Sequence, residues 1–246
     1  MRHHGMPPKN QPMRVVFPLT FILFGCASVD DGKVQPLKHG VTVAPVSVMG
    51  DTLALRQVGD RASLNRERHI DVASWRIDRH SEAVAGKVLG DGGRFSVASA
   101  DTAELRKSVR LQDDRWTGAI RMQASSGPLT AFAKQSGVDY VLLIGPASVA
   151  DPFMGTDGQL FGYGIFQRAV AGLKHAVNYL AVKVIVLDGR SGESVARAQC
   201  ALSAPRQDSE WLQPTKTVQP GEGTRAGIEQ LFEGALRKCL VGLKLG

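Results

Sequence analysis

Apolar and polar positions fall into short blocks along this chain, each with a readable period. GVTVAPVSVMG, residues 40–50, alternates β-branched residues with small or polar ones and stops at Gly50-Asp51. That predicts a strand with Pro45 at an edge or bulge. TLALRQV and RHIDV, with a polar turn between them, predict a hairpin. Ile77, Val84 and Val88 recur at helical spacing, so a helix starts near Ser74 and stops at GDGG, residues 90–93. RFSVAS is a short strand, residues 101–112 form a helical pattern, and residues 113–127 fit neither period. LTAFAKQSG reads as a short helix closed by Gly137. VDYVLLIGPASV, residues 138–149, is an unbroken apolar run between turn residues, the profile of a buried central strand. NYLAVKVIVLDGRSGESVARAQCAL predicts two strands around a tight turn at Asp188–Gly192. After a loop with Trp211, Pro214 and Pro220, Ile228, Leu231, Leu236 and Leu240 give a last helix an apolar face. The expected fold is α/β: one domain, a mixed sheet of roughly five or six strands, and helices packed largely on one face.

The N-terminus has a different pattern. Arg2, Lys9 and Arg14 precede an apolar run, residues 15–24, broken only by Thr20. A spanning helix needs about 20 apolar residues to match a hydrocarbon core of about 30 Å. This run is shorter, and a basic segment before it fits a secretory signal peptide. Met13, directly ahead of the run, is a second candidate start. Leu23-Phe24-Gly25-Cys26 is similar to the lipobox of bacterial lipoproteins. That resemblance implies cleavage after Gly25, a diacylglycerol on the Cys26 thiol and Cys26 as the mature N-terminus. Phe24 stands where the lipobox usually has a small residue. Ala27, rather than an aspartate, after the cysteine implies sorting to the outer membrane by the rule known from enteric bacteria. The expected division is residues 1–25 as signal peptide, 26–39 as a flexible tether and 40–246 as a periplasmic domain. Two acyl chains make a stable anchor, at ~0.8 kcal/mol per buried CH₂. The tether ASVDDGKVQPLKH, residues 27–39, would let the domain range over about 20 Å.

Composition adds limits. With 43% hydrophobic and 22% charged residues the chain has an ordinary globular composition. Its formal net charge of +7 includes the three leader cations. The remaining mild excess suits anionic headgroups or cell-wall polymer, or is simply a solvated surface with surplus bases, and no Lys/Arg block supports nucleic-acid binding. With Cys26 lipidated, Cys200 and Cys239 remain as an even pair in an oxidising compartment. They are either a disulfide between a late strand and the last helix or two buried thiols.

TVAPV in a first strand, a helix, VDYVLLIG, a Gly/Tyr-rich segment and VKVIVLDGRSGESV resemble the periplasmic domain of curli-secretion-type lipoproteins. The order is also similar to the N-terminal domain of the Tol-system translocation protein. The resemblance implies the α/β fold. By analogy with the curli type, it offers an oligomeric pore built from residues 158–170 and 176–187 as an alternative to a soluble hairpin.

The search for chemistry gives little. The sequence has no HExxH, paired CxxC, GxSxG or P-loop pattern. GEGTRA, residues 221–226, follows Gln219-Pro220 rather than a strand and reads as a loop entering a helix. His39, His69, His80 and His175 are isolated, and His80 is not spaced from Asp78 or Glu82 as a metal pair. No metal, cofactor or catalytic residue is assigned, and an envelope hydrolase is the least supported class. GTDGQLFGYGIFQR, residues 155–168, is the unusual segment. Tyr163, Phe166 and Arg168 are candidate contacts to a partner or ligand, while Gly162 and Gly164 alternatively permit close backbone approach within a sheet. The expected role is a lipid-anchored envelope protein of binding or assembly type, with an envelope protein as partner.

Overall fold

The structure, a computed structural model, describes residues 27–29, 37–114, 119–151, 159–171, 173–206 and 219–246. Thirteen strands and four α-helices run through them in the order β1 (Ala27–Val29), β2 (Thr42–Ser47), β3 (Thr52–Val58), β4 (Arg66–Asp71), α1 (Ile77–Asp91), β5 (Ser96–Val97), α2 (Ala103–Ser108), β6 (Val109–Asp114), β7 (Ala119–Ala124), α3 (Ser126–Ser136), β8 (Tyr140–Pro146), β9 (Ser148–Ala150), β10 (Gln159–Phe161), β11 (Tyr163–Val170), β12 (Leu173–Asp188), β13 (Ser194–Pro205) and α4 (Glu222–Gly242).

One mixed sheet organises the domain, and it is larger than five or six strands because β12 is long enough to serve two sets of neighbours. Along one edge, β12 pairs antiparallel with β13 from Val177↔Pro205 to Leu187↔Ser194. Along its other edge, residues 173–180 pair with β11 and residues 182–188 with β8. The sheet therefore forks. One branch continues β11–β3–β4 and the other β8–β2–β5, while β13 and β1 close the shared side. The fork point is Ala181. Its N–H donates to Gly162 O at 2.6 Å, and its carbonyl accepts from Ala147 N–H at 3.0 Å. Gly162 N–H in turn donates to Ala147 O at 3.0 Å. Only small side chains fit where three strand ends converge, and Ala147, Ala181 and Ala201 pack together there. Gly162 takes a positive φ of 57°, which glycine accommodates without a Cβ penalty.

Side-chain alternation divides the sheet between two layers. Leu180, Val182, Val184 and Val186 of β12 and Leu142 and Ile144 of β8 face α1 and α4. Phe232, Leu236 and Leu240 of α4 and Ile77 and Leu89 of α1 complete this main core. Val141, Leu143 and Leu187 face the opposite way, toward Leu105 of α2 and Leu129 and Ala133 of α3. The two long helices thus share one face, and the two short ones cover part of the other. β10 lies over a third cluster, with Leu160 against Ala54, Phe166 and Tyr179.

Local signals explain several boundaries. Gly137 caps α3 in the left-handed region, φ 64°, with its N–H on Ala133 O. Asp188 opens the β12–β13 turn by accepting from the backbone N–H groups of Arg190 and Ser191, each at 2.9 Å. The Ser191 amide first, then that of Arg190, holds the Asp188 carboxyl below its ordinary range. The helical pattern over residues 101–112 breaks at Val109, where the chain enters an antiparallel β6–β7 hairpin.

Candidate functional site

The segment nearest the expected acylation site is not loose chain. β1 begins at Ala27 and pairs antiparallel with the edge of β13: Ala27↔Cys200, Ser28↔Gln199, Val29↔Ala198. The expected tether therefore starts as a sheet strand, because β13 presents an unpaired edge that backbone groups satisfy. Leu37, near the other end of that stretch, is buried in the main core, and Arg94 donates to its carbonyl at 2.6 Å. Gly25 and Cys26 lie outside the described residues. Cys200, opposite Ala27, is disulfide-bonded to Cys239 of α4, with 5.9 Å between the Cα atoms and both side chains fully buried. One cross-link thus ties the edge carrying β1 to the last helix, which also packs against β1.

The Gly/Tyr-rich segment follows the alternative of close backbone approach. Tyr163 and Phe166 are internal, so neither offers an exposed anchor to a partner. Tyr163 packs edge-on to Phe232 at 5.8 Å and donates its hydroxyl to Gly50 O at 2.8 Å. Tyr179 donates to Phe161 O at 3.2 Å. Burial pushes both phenols above their usual range, which keeps them protonated donors. Arg168 is half-buried, opposite His175 and beside Val58 in the strand registers. Residues 155–158, the first part of the segment, lie outside the described residues. As for a membrane hairpin, β11 and β12 are the middle of the sheet, and inserting them into a bilayer would strip them from β3, β8 and β13.

A polar cluster that the sequence did not signal sits where β2 ends. Asp78 Oδ1 accepts from Ser47 Oγ at 2.7 Å and from the N–H groups of Met49 at 2.8 Å and Gly50 at 3.4 Å. Glu82, one turn along α1, accepts from Ser47 N–H at 2.9 Å and from Arg106 at 2.6 Å. The carboxyl ends of parallel strands are common places for ligands in α/β sheets. These oxygens, however, are engaged by the chain's own backbone, and the arrangement fixes the β2–β3 connection. His80, between the two acids, points to α4, with Nε2 3.3 Å from Glu229 O and its ring against Phe232. Asp78→Ala should cost about 2–3 kcal/mol, because it leaves two backbone donors and a buried hydroxyl without their acceptor, and Asp78→Asn should cost less. Urea denaturation midpoints of the two variants check this.

On the face opposite α1 and α4, the β6–β7 hairpin and the turn end of β12–β13 enclose a cleft of about 650 Å³. Arg110, Lys183 and Arg197 line it, with Gln123, Ser125 and Ser194. Such a wall suits an anionic or hydroxyl-rich partner surface. Among the described residues no cluster of three or more His, Cys, Asp or Glu side chains is placed to hold a metal ion. No helix among them is long and apolar enough to cross a membrane.

No protein-family model matches the chain. No curated protein matches it either. Solved structures with a related chain path include the PelC dodecamer from Paraburkholderia phytofirmans, at 14% identity and TM-score 0.42, covering 89% of this chain and 96% of that one. Protein XCC0632 from Xanthomonas campestris is 13% identical, with TM-score 0.41 and 85% of each chain covered. Lipoprotein GNA1162 from Neisseria meningitidis is 10% identical, with TM-score 0.33, covering 69% of this chain and 87% of that one. At these identities and scores the likeness lends the chain neither a family nor a function.

Proposed function

We propose that the chain is a lipid-anchored envelope lipoprotein of binding or assembly type, held on the periplasmic face of the outer membrane. The observation that carries the reading is the leader: a basic segment, a short apolar run and Leu23-Phe24-Gly25-Cys26 directly ahead of the folded domain. Ala27 in place of an aspartate supports the outer membrane. The isolated histidines and engaged acids support binding rather than catalysis, and the basic cleft supports a partner with acidic or hydroxylated groups. Cys26→Ala should move the domain from the membrane to the soluble periplasmic fraction. If the variant stays with the membrane after a high-salt wash, the lipid-anchor reading is wrong. Crosslinking in the intact envelope followed by pull-down then identifies the protein held.

A further inference from the structure

We propose that the domain stands on the bilayer by its β1–β13 edge, with the anchor rising from a fixed point of the sheet rather than from a flexible tether. The proposal rests on Cys26 being acylated and goes beyond it by assigning a membrane-facing surface. Its basis is the pairing of Ala27, the residue after the acylated cysteine, with Cys200. An extended chain covers at most ~3.6 Å per residue, so Val29 lies within about 11 Å of Cys26. Strands lie ~4.8 Å apart, which brings Ala198–Cys200 within about 16 Å of the acylated residue. Those positions cannot leave the interface without unpairing β1. β4 is the other end of the sheet, with β13, β12, β11 and β3 between it and β1. Five strand spacings separate them, about 24 Å, so β4 points away from the lipid.

The partner surface is therefore the phospholipid leaflet that carries the anchor. The disulfide makes the footing stiff, since Cys200 is covalently tied to α4 directly behind β1. Arg197 is exposed on β13 next to Ala198, and His69 is exposed on β4, so the two report the near and far ends.

The test uses the full lipidated protein in vesicles of phosphatidylethanolamine and phosphatidylglycerol, with p-benzoylphenylalanine replacing Arg197 or His69 in turn. Photolysis should crosslink lipid to the Arg197 position several-fold more than to the His69 position. Inserting ten Gly/Ser residues between Cys26 and Ala27 adds a reach of about 17 Å and should reduce the Arg197 yield several-fold. Equal yields at the two positions, or a yield at Arg197 untouched by the insertion, would overturn the proposal while leaving the anchor intact. Intact mass without an acyl group on Cys26 would overturn the anchor reading and this inference with it.

Discussion

Gly164→Ala should destabilise the domain by about 3 kcal/mol or more, lowering Tm by roughly 6–12 °C for a chain of this size. Gly164 is paired with Ala54 in the parallel β3–β11 ladder and lies opposite Tyr179 on β12. A Cβ built there would collide with the Ala54 carbonyl oxygen, with the Ala54 carbonyl carbon at 2.9 Å and Tyr179 Cε1 at 3.0 Å. A side chain can rotate aside, but a strand carbonyl cannot do so without opening its ladder. Gly223→Ala is the control: that glycine is exposed near the start of α4 and has open space around it. It should be neutral or stabilising by ~0.5 kcal/mol through helix propensity. Thermal melts of both variants decide the matter, and equal melting of Gly164→Ala and wild type would refute the β3–β11 pairing.

Replacing both Cys200 and Cys239 with alanine should remove about 4 kcal/mol, the chain-entropy value for a loop of this length. The two residues are 39 apart in sequence and fully buried, so the cross-link restricts the whole loop between β13 and α4 in the unfolded state. Urea unfolding of the oxidised protein, the reduced protein and the double alanine variant measures the effect. The reduced and variant proteins should unfold at similar, lower urea concentrations than the oxidised one. An oxidised protein no more resistant than the variant would show that the bond contributes nothing, and a mass without the loss of two hydrogens would show that it is absent.

The parts of the fold legible in the sequence were those whose signals are local. Val182, Val184 and Val186 on a long run, followed by Asp188 and Gly192, announce β12, its turn and β13, and Gly137 announces the end of α3. The β6–β7 hairpin was not legible, because Glu104, Leu105, Arg106 and Lys107 carry on as helix formers right up to Val109. Leu111 on that hairpin is exposed, and among its described side chains only Met122 is buried, too little to impose an alternating pattern. Tyr163 and Phe166 were ambiguous for another reason. Aromatics beside glycines suit a contact loop and a tight inner strand equally, and only the β3 backbone against Gly164 separates the two. Asp78 and Glu82 stand one turn apart on α1, but their partner Ser47 is 31 residues from the first of them, beyond any sequence period. β1 was hidden most completely: Ala-Ser-Val reads the same as tether or strand, and what makes it a strand is the open edge of β13.

The fork at Ala181 also bears on how the chain reaches its folded state. β2 is tied to the residues before β8, with Thr42 N–H on Asp139 Oδ2, 97 residues away, and Gly50 is held by Tyr163, 113 residues away. Both branches close only on β12, so the first hundred residues have no completed sheet of their own. Long-range pairing of this kind slows folding, and strands awaiting a partner are open to aggregation. A polypeptide threaded through a membrane N-terminus first would deliver β2, β3 and β4 well before the strand they depend on. Such a chain needs shelter on the far side until β12 arrives, and its folding there is a single late event rather than a growth from one end.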